Sequence, residues 1–230
     1  QWPFGFELLY SSSNREMPER SLVVRTLFPG ERDRGAMLSG TGFNKKFHYR
    51  AAIVNGTGTT RSFDFNRRKD FVGRVGYSFG PVDAGLSAYR GAELVSLAGL
   101  PAGRSFDKQR EGVDIQWKTP LPGLRLRGEY ISGVQPPATG ALATAARAAD
   151  VSGWYAYAIQ DVGKRHQFVV RADQYDPDHD RAGDATRTLG GAYSFRWDAN
   201  SKVMLAYERP ELQRNDPDDD VWTLRYQFAF

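Results

Sequence analysis

The last ten residues, Val221–Phe230, alternate between large apolar side chains and smaller or polar ones. One face carries Trp222, Leu224, Tyr226, Phe228 and Phe230, and the other carries Thr223, Arg225, Gln227 and Ala229. A helix would scatter these rings around its circumference, whereas a β-strand places them on one side. Because about ten residues of such alternation make one membrane crossing in a β-barrel, the segment predicts a transmembrane strand whose aromatic face contacts lipid.

The same period of two recurs along the chain. It predicts strands at Phe47–Val54, Phe71–Phe79, Val113–Trp117, Leu124–Ile131, Gln167–Tyr175, Leu189–Trp197 and Lys202–Arg209, and more weakly at Trp2–Tyr10, Arg34–Gly40, Asp83–Arg90 and Gly153–Ile159. With the last strand this gives about twelve strands, an even number as is usual in bacterial barrels. The predicted fold class is all-β: a single domain, residues 1–230, forming a transmembrane antiparallel up-and-down β-barrel.

The connections between these strands alternate in length. Short, turn-forming connections are predicted at Gly42–Lys45, Gly80–Pro81, Pro120–Gly123, Asp161–Lys164 and Asp198–Asn200. Longer polar loops are predicted at Gly56–Lys69, Gly91–Gln109, Gly133–Asp150, Asp176–Thr186 and Pro210–Asp220. Short periplasmic turns opposite long external loops are typical of bacterial outer-membrane barrels, and a soluble β-sandwich gives no reason for this alternation.

The composition agrees with a barrel and excludes some other classes. The mean hydropathy is −0.54 and 25% of residues are charged, and no stretch approaches the roughly 18 apolar residues of a membrane helix. The strands of a barrel have a low mean hydropathy because apolar residues that face lipid alternate with polar residues that face the lumen. The chain has 11 Tyr, 14 Phe and 5 Trp, enough for aromatic girdles, and no Cys, which excludes a disulfide scaffold.

One long connection, Ser11–Asp33, differs from the rest. It combines many charges with the apolar residues Leu22, Val23, Val24, Leu27 and Phe28. Because a purely solvated loop has no need of apolar side chains, we expect residues 11–33 to fold into the lumen as a pore-constricting loop. The alternative is an external loop that packs on its neighbours.

The segment Pro3–Gly40 resembles the phosphate-selective porin O and P family. The matching elements are Pro3–Gly5 with Glu7, Glu19–Ser21, and Phe28–Gly30 with Arg32, Asp33 and Gly35; Tyr49–Gly58 and the strands from Gly153 onward are also similar. The resemblance implies an outer-membrane porin barrel. Members of that family have about sixteen strands, several of them before the Pro3 element. We therefore expect the chain to cover the C-terminal majority of such a barrel, with a smaller barrel of about twelve strands as the alternative.

A pore selects solutes by size and by the charge of its lining. If the aromatic faces contact lipid, the opposite faces carry more bases than acids. The candidate pore-lining, anion-contacting residues are Arg50, Arg74, Arg125, Arg127, Arg171, Arg196, Lys202 and Arg225 on the wall, and Arg20 and Arg25 on the constricting loop. A guanidinium can hold an oxyanion with two hydrogen bonds, which favours passive diffusion of small, phosphate-like anions. Alternatively, these bases pair with the inward acids Asp114, Glu129, Asp173 and Glu208 and only fill a polar lumen.

Other classes of function are less well supported. The acids of Asp176–Asp184 surround one of only three histidines, but the loop lacks the spacing of a known calcium site, and a solvated loop is the simpler interpretation. The basic run Arg67–Lys69 is too short for nucleic-acid binding. We expect no enzymatic activity, no cofactor and no metal. The expected partners are small anions, outer-membrane lipid with lipopolysaccharide, and further copies in a homotrimer. The second hypothesis is a plugged barrel that serves as an anchor or as part of an envelope assembly.

Overall fold

The computed structural model describes residues 1–11, 14–59, 66, 68–198, 200–212 and 220–228. It contains one antiparallel sheet in which eleven strands follow one another in chain order. The strands are β1 Gly35–Gly42, β2 Phe47–Val54, β3 Asp70–Phe79, β4 Val82–Leu97, β5 Leu100–Lys118, β6 Leu124–Gln135, β7 Ala149–Val162, β8 His166–Asp176, β9 Thr186–Arg196, β10 Ser201–Leu212 and β11 Val221–Phe228. The predicted all-β, up-and-down architecture is confirmed, and Ala229 and Phe230 lie outside the described residues.

Each of the eleven strands coincides with a predicted one, but β4 and β5 are longer than predicted. The stretch Gly91–Gln109, expected to be a loop, continues both strands and pairs as far as Leu97 with Leu100. The extension is stabilised by a small apolar cluster in which Val95, Leu97 and Phe106 are buried against alanines of the β6–β7 connection.

The short connections gather at one end of the sheet and the long ones at the other. The end with the β1–β2, β3–β4, β5–β6, β7–β8 and β9–β10 connections is called the turn end below, and the opposite end the loop end. Each short connection is two to five residues in the chain and follows the predicted turn formers, such as Gly80–Pro81. The predicted alternation of loop length is therefore confirmed, apart from the tight β4–β5 hairpin.

The predicted strand at Trp2–Tyr10 is wrong. This stretch has no strand pairing and ends in a 3₁₀ turn at Glu7–Leu9. Pro3 lacks a donor for a ladder, and Gly5 has a φ of +58°, a left-handed conformation that ends an extended run. The even count of twelve strands depended on this stretch. With eleven strands, β1 and β11 run in the same direction. A barrel that closes this sheet through antiparallel pairs alone would therefore need an odd number of additional strands.

The two faces of the sheet differ in polarity. The outer face exposes large apolar side chains along most strands, among them Phe71, Leu86, Ile115, Val170 and Leu205. On β11 the outward side chains of Trp222, Leu224, Tyr226 and Phe228 are exposed, whereas Thr223, Arg225 and Gln227 point inward and are half-buried. Aromatic pairs line the outer face near the turn end, as in Tyr77–Phe79, Phe195–Trp197 and Trp197–Tyr226. Within the described residues, no helix is both long and apolar enough to cross a membrane.

Candidate functional site: the inner face of the sheet

Residues 1–34 are called the inner segment below, and its described residues, 1–11 and 14–34, lie along the inner face of the sheet from β4 to β11. Its apolar side chains Trp2, Phe4, Val23 and Phe28 are buried in the main core together with inward residues of the strands, such as Tyr89 of β4. The only α-helix among the described residues, α1 Leu22–Leu27, contacts β7 and β8. The apolar run of Leu22–Val24 therefore packs on the wall, and the described part of the segment lies on the inner side of the sheet.

Glycines of the wall make room for this segment. A Cβ added at Gly112 would lie 2.9 Å from the Phe4 ring, one at Gly153 would lie 2.7 Å from Val23, and one at Gly190 would lie 3.1 Å from Met17. All three glycines point inward on different strands, β5, β7 and β9. The wall is therefore shaped to receive the segment in one position.

Two buried carboxylates fix the start of the segment. Glu129 of β6 accepts hydrogen bonds from the backbone N–H of Phe6 at 3.1 Å and from the Tyr155 hydroxyl at 2.6 Å. Glu7 accepts hydrogen bonds from the Ser21 hydroxyl at 2.7 Å and from the Tyr157 hydroxyl of β7 at 2.7 Å. Glu129 joins the segment to the wall, and Glu7 joins the start of the segment both to Ser21, later in the same segment, and to the wall. These contacts therefore hold the segment in its folded path.

Arg20, expected to face the passage, is instead enclosed within the inner segment. It is 1% exposed and donates hydrogen bonds to the carbonyl oxygens of Glu7 and Tyr10. Its Nε lies 2.6 Å from Glu31, and this hydrogen-bonded guanidinium lowers the pKa of the Glu31 carboxyl. Arg20 closes the segment on itself because its planar group can serve three acceptors at once.

Four of the predicted wall bases hold the inner segment. Arg127 forms a two-pronged ion pair with Glu16, with both N–O distances at 3.1 Å. The other three donate to carbonyl oxygens of the segment: Arg171 to Glu19 at 2.8 Å, Lys202 to Arg15 at 3.3 Å, and Arg225 to Pro18 at 3.4 Å. These bases lie on β6, β8, β10 and β11, so the segment is attached along much of its length.

Two of the four remaining wall arginines meet an acid. Arg74 binds Asp114 at 2.6 and 2.9 Å, and Arg125 lies 3.0 Å from Asp161. Arg171 also contacts Asp173 at 3.0 Å and Glu208.

Three predicted residues are exposed and make no ion pair with any residue that the structure describes. Arg50 lies on the inner side of β2, Arg196 lies on the inner side of β9 at the turn end, and Arg25 lies on the side of α1 away from the wall. On the edge strand β1 the inward Met37 is 54% exposed, whereas the inward Ala52 and Val54 of β2 and Val72 of β3 are buried in the main core.

Sequence reasoning missed several inward charges. Asp70, Lys108 and Arg110 are buried near the loop end. Asp70 lies just before the predicted strand Phe71–Phe79, and Lys108 lies in the predicted loop Gly91–Gln109, with Arg110 directly after it. The signal was present: Lys108 and Arg110 have the same parity as Asp114 and Gln116, so extending the alternation back from Val113 would have found them.

The acidic loop Asp176–Asp184 makes local contacts at the loop end. Arg147 binds Asp178 and Asp180, and its hydrogen bond lowers the pKa of the Asp178 carboxyl. These contacts agree with the interpretation of a solvated loop. Arg67 of the basic run lies outside the described residues.

The structure resembles solved porins. One match, a porin refined at 1.8 Å resolution, has a TM-score of 0.65 and 16% sequence identity over 88% of this chain and 64% of its own. Another, the anion-selective porin from Comamonas acidovorans, has a TM-score of 0.60 and 13% identity over 84% of this chain and 58% of its own. The fold is that of a porin barrel. The chain spans about three fifths of the length of these porins. No protein-family model matches the sequence, and no curated protein matches it significantly.

Proposed function

We propose that the chain forms an outer-membrane porin through which small anions, including phosphate-like ones, diffuse passively. The observation that carries the proposal is the contrast between the two faces of the sheet. An outer belt of exposed Leu, Ile, Val and aromatic residues suits lipid, and the inner face has more bases than acids. On this proposal the protein lies in the bacterial outer membrane among lipid and lipopolysaccharide, and homotrimer formation is part of the same proposal.

The charge balance of the inner face supports anion preference. Beyond the positions inferred from the sequence, the inward side chains include the bases Lys108, Arg110 and Lys118 and the acids Asp70, Asp83, Glu93 and Asp161, so the bases still outnumber the acids. The inner segment has as many acids as Arg residues. It therefore adds no net charge and does not cancel the excess of bases on the wall. Low-dielectric walls focus such a field on the passing ion.

The inner segment supports the part of the proposal that concerns constriction. It covers the inner faces of β4 to β11, and on this proposal solutes would pass along β1 and the turn-end half of β2, where the inward Met37, Ser39 and Arg50 are exposed. The same extent of coverage favours the alternative, a plugged barrel that acts as an anchor. Steady conductance in a planar bilayer is expected for the porin, and its absence from correctly folded protein would support the plugged barrel.

The selectivity test uses the exposed arginines. Arg125 and Arg127 bind acidic side chains, so replacing them would also perturb the structure. We expect the reversal potential in a dilute KCl gradient to show chloride preference, and this preference to weaken in about 1 M salt, where the Debye length falls to about 3 Å. Replacing Arg50 and Arg196 together by Glu changes the lumen charge by four units and should shift the reversal potential towards potassium. Arg187→Glu, on the exposed outer face of β9, is the control and should have little effect. Potassium preference of the unmodified pore in dilute salt would contradict anion selectivity.

A further inference from the structure

Arg74 of β3 lies at the border between the covered and the exposed parts of the inner face. Its cross-strand neighbour on β2 is the exposed Arg50. Its neighbour on β4 is Ser87, whose hydroxyl accepts a hydrogen bond from the backbone N–H of Gly5 in the inner segment at 2.9 Å. An arginine that extended away from the wall at this position would enter the proposed path beside Arg50. The Arg74 side chain, however, is only 11% exposed.

The Arg74 side chain instead lies along the wall and reaches Asp114, two strands away on β5. Nε donates to one oxygen of Asp114 at 2.9 Å and Nη2 to the other at 2.6 Å, and Asp114 is 1% exposed. A carboxylate that binds a guanidinium with two hydrogen bonds fixes the orientation of the guanidinium as well as its position. The next inward acid is Glu129, the cross-strand partner of Asp114, and it accepts hydrogen bonds from Phe6 and Tyr155.

Two inward glycines make room for the guanidinium on the wall. A Cβ added at Gly85 of β4 would lie 2.3 Å from Nη2 of Arg74 and 2.7 Å from Oδ2 of Asp114, and one added at Gly76 of β3 would lie 2.8 Å from Nη1 of Arg74. Neither glycine has a positive φ, so the backbone at these positions does not require glycine. The absence of a side chain is required instead by the guanidinium, which occupies the space that a side chain would fill.

We propose that Gly76, Gly85 and Asp114 are positioning residues that withhold Arg74 from the path, so that a solute at this level meets Arg50 but not Arg74. They keep the opening wider by one long side chain, and they limit its positive charge because the carboxylate lies against the guanidinium. The inference rests on the proposed function, since a withheld charge affects solutes only in a protein that conducts. The position of the guanidinium itself can be measured without conduction.

The first test measures the accessibility of Arg74 in the detergent-solubilised protein. Phenylglyoxal modifies accessible guanidinium groups, and peptide mass spectrometry gives its rate at each arginine. Arg74 should react about tenfold more slowly than the exposed Arg50, the factor that one charge-assisted hydrogen bond supplies. In Gly85→Ala the new methyl group must move Nη2 from 2.3 Å to an ordinary contact of at least 3.4 Å. The rate at Arg74 should then rise about tenfold and the rate at Arg50 should not change. Gly191→Ala, on the outer face of β9, is the control and should change neither rate.

The second test measures the effect of the released arginine on solutes. Gly85→Ala leaves the formal charge unchanged, so a shift in the chloride-to-potassium permeability ratio in dilute KCl reports the position of Arg74. We expect the ratio to rise about twofold, the effect of one unit charge about 8 Å from the ion in water, and the single-channel conductance to fall. Arg74→Gln combined with Asp114→Asn replaces the ion pair by two amides without changing the net charge. In that background Gly85→Ala should leave the ratio unchanged.

Three results would overturn the proposal in whole or in part. Unchanged reactivity of Arg74 in Gly85→Ala, with or without a lower thermal unfolding midpoint, refutes the positioning role. A shift of the permeability ratio that persists in the amide background shows that Gly85→Ala acts through another group. Increased reactivity of Arg74 with an unchanged ratio in a conducting protein refutes the effect on solutes. A protein whose Arg74 becomes reactive but which shows no conductance keeps the positioning role and refutes the porin.

Discussion

The ion pair between Glu16 and Arg127 should control whether the inner segment stays docked. Its side chains are 9% and 2% exposed, and both oxygens of Glu16 are engaged by the guanidinium. Glu16→Gln leaves Arg127 buried without a counter-charge, because its acceptors are then two neutral amide oxygens, that of Gln116 at 3.1 Å and that of the new side chain. Removing one partner of a buried pair costs about 3–5 kcal/mol. Since about 1.4 kcal/mol corresponds to a factor of ten, the undocked state should become at least about a hundredfold more populated.

Limited proteolysis measures this population. Trypsin can cut after Arg20, which is 1% exposed, only when the segment leaves the wall, and the rate of cleavage at this bond follows the open population if opening is fast. We expect the initial rate to rise about a hundredfold in Glu16→Gln, accompanied by larger current fluctuations in a bilayer. The matched control is Glu19→Gln, because Glu19 is 62% exposed and only 3.7 Å from Arg15. Such a surface pair is worth about 0–1 kcal/mol. Equal cleavage rates in the two variants would refute the docking role of the pair.

Two further predictions concern the wall. Gly153→Val should lower stability by about 1–3 kcal/mol, because its side chain would overlap Val23 and the Gln174 carbonyl; the thermal midpoint measures this, with Gly191→Ala, which meets nothing closer than 3.5 Å, as the control. The chain has no cysteine, so Leu224→Cys and Thr223→Cys can each carry one fluorescent label. The label at 224 should be quenched by lipid-borne nitroxides and the label at 223 should not, and the opposite result would reverse the assigned faces of β11.

The strands could be predicted from the sequence because their signals are local. Alternation over a few residues and turn formers such as Gly80–Pro81 specify a strand and its ends without knowledge of the rest. The prediction failed where local patterns are ambiguous. Trp2, Phe4, Phe6 and Leu8 alternate like a strand, yet every one of them is buried inside the sheet. The signals against a strand, Pro3 and Gly5, were weaker than the alternation.

The interior contacts could not be predicted, because they join residues far apart in the chain. Glu16 and Arg127 are separated by 111 residues and Tyr157 and Glu7 by 150, and neither pair leaves a pattern in the sequence. The alternation of faces along each strand correctly predicted that Arg127 and Arg171 point inward. It could not distinguish an arginine that faces an open path from one that holds the inner segment, since both occupy the same face of a strand.

This distinction changes where selectivity would arise in the proposed pore. An arginine held by a carboxylate at about 3 Å offers little net charge to a passing ion, because the two opposite charges nearly cancel beyond their own separation. Arg127 and Arg171 are in that state. Arg50 and Arg196 are exposed, so their fields reach the solvent that fills a path. Selectivity would therefore depend on a few exposed bases, while the more numerous buried ones define the shape of the opening by fixing the inner segment.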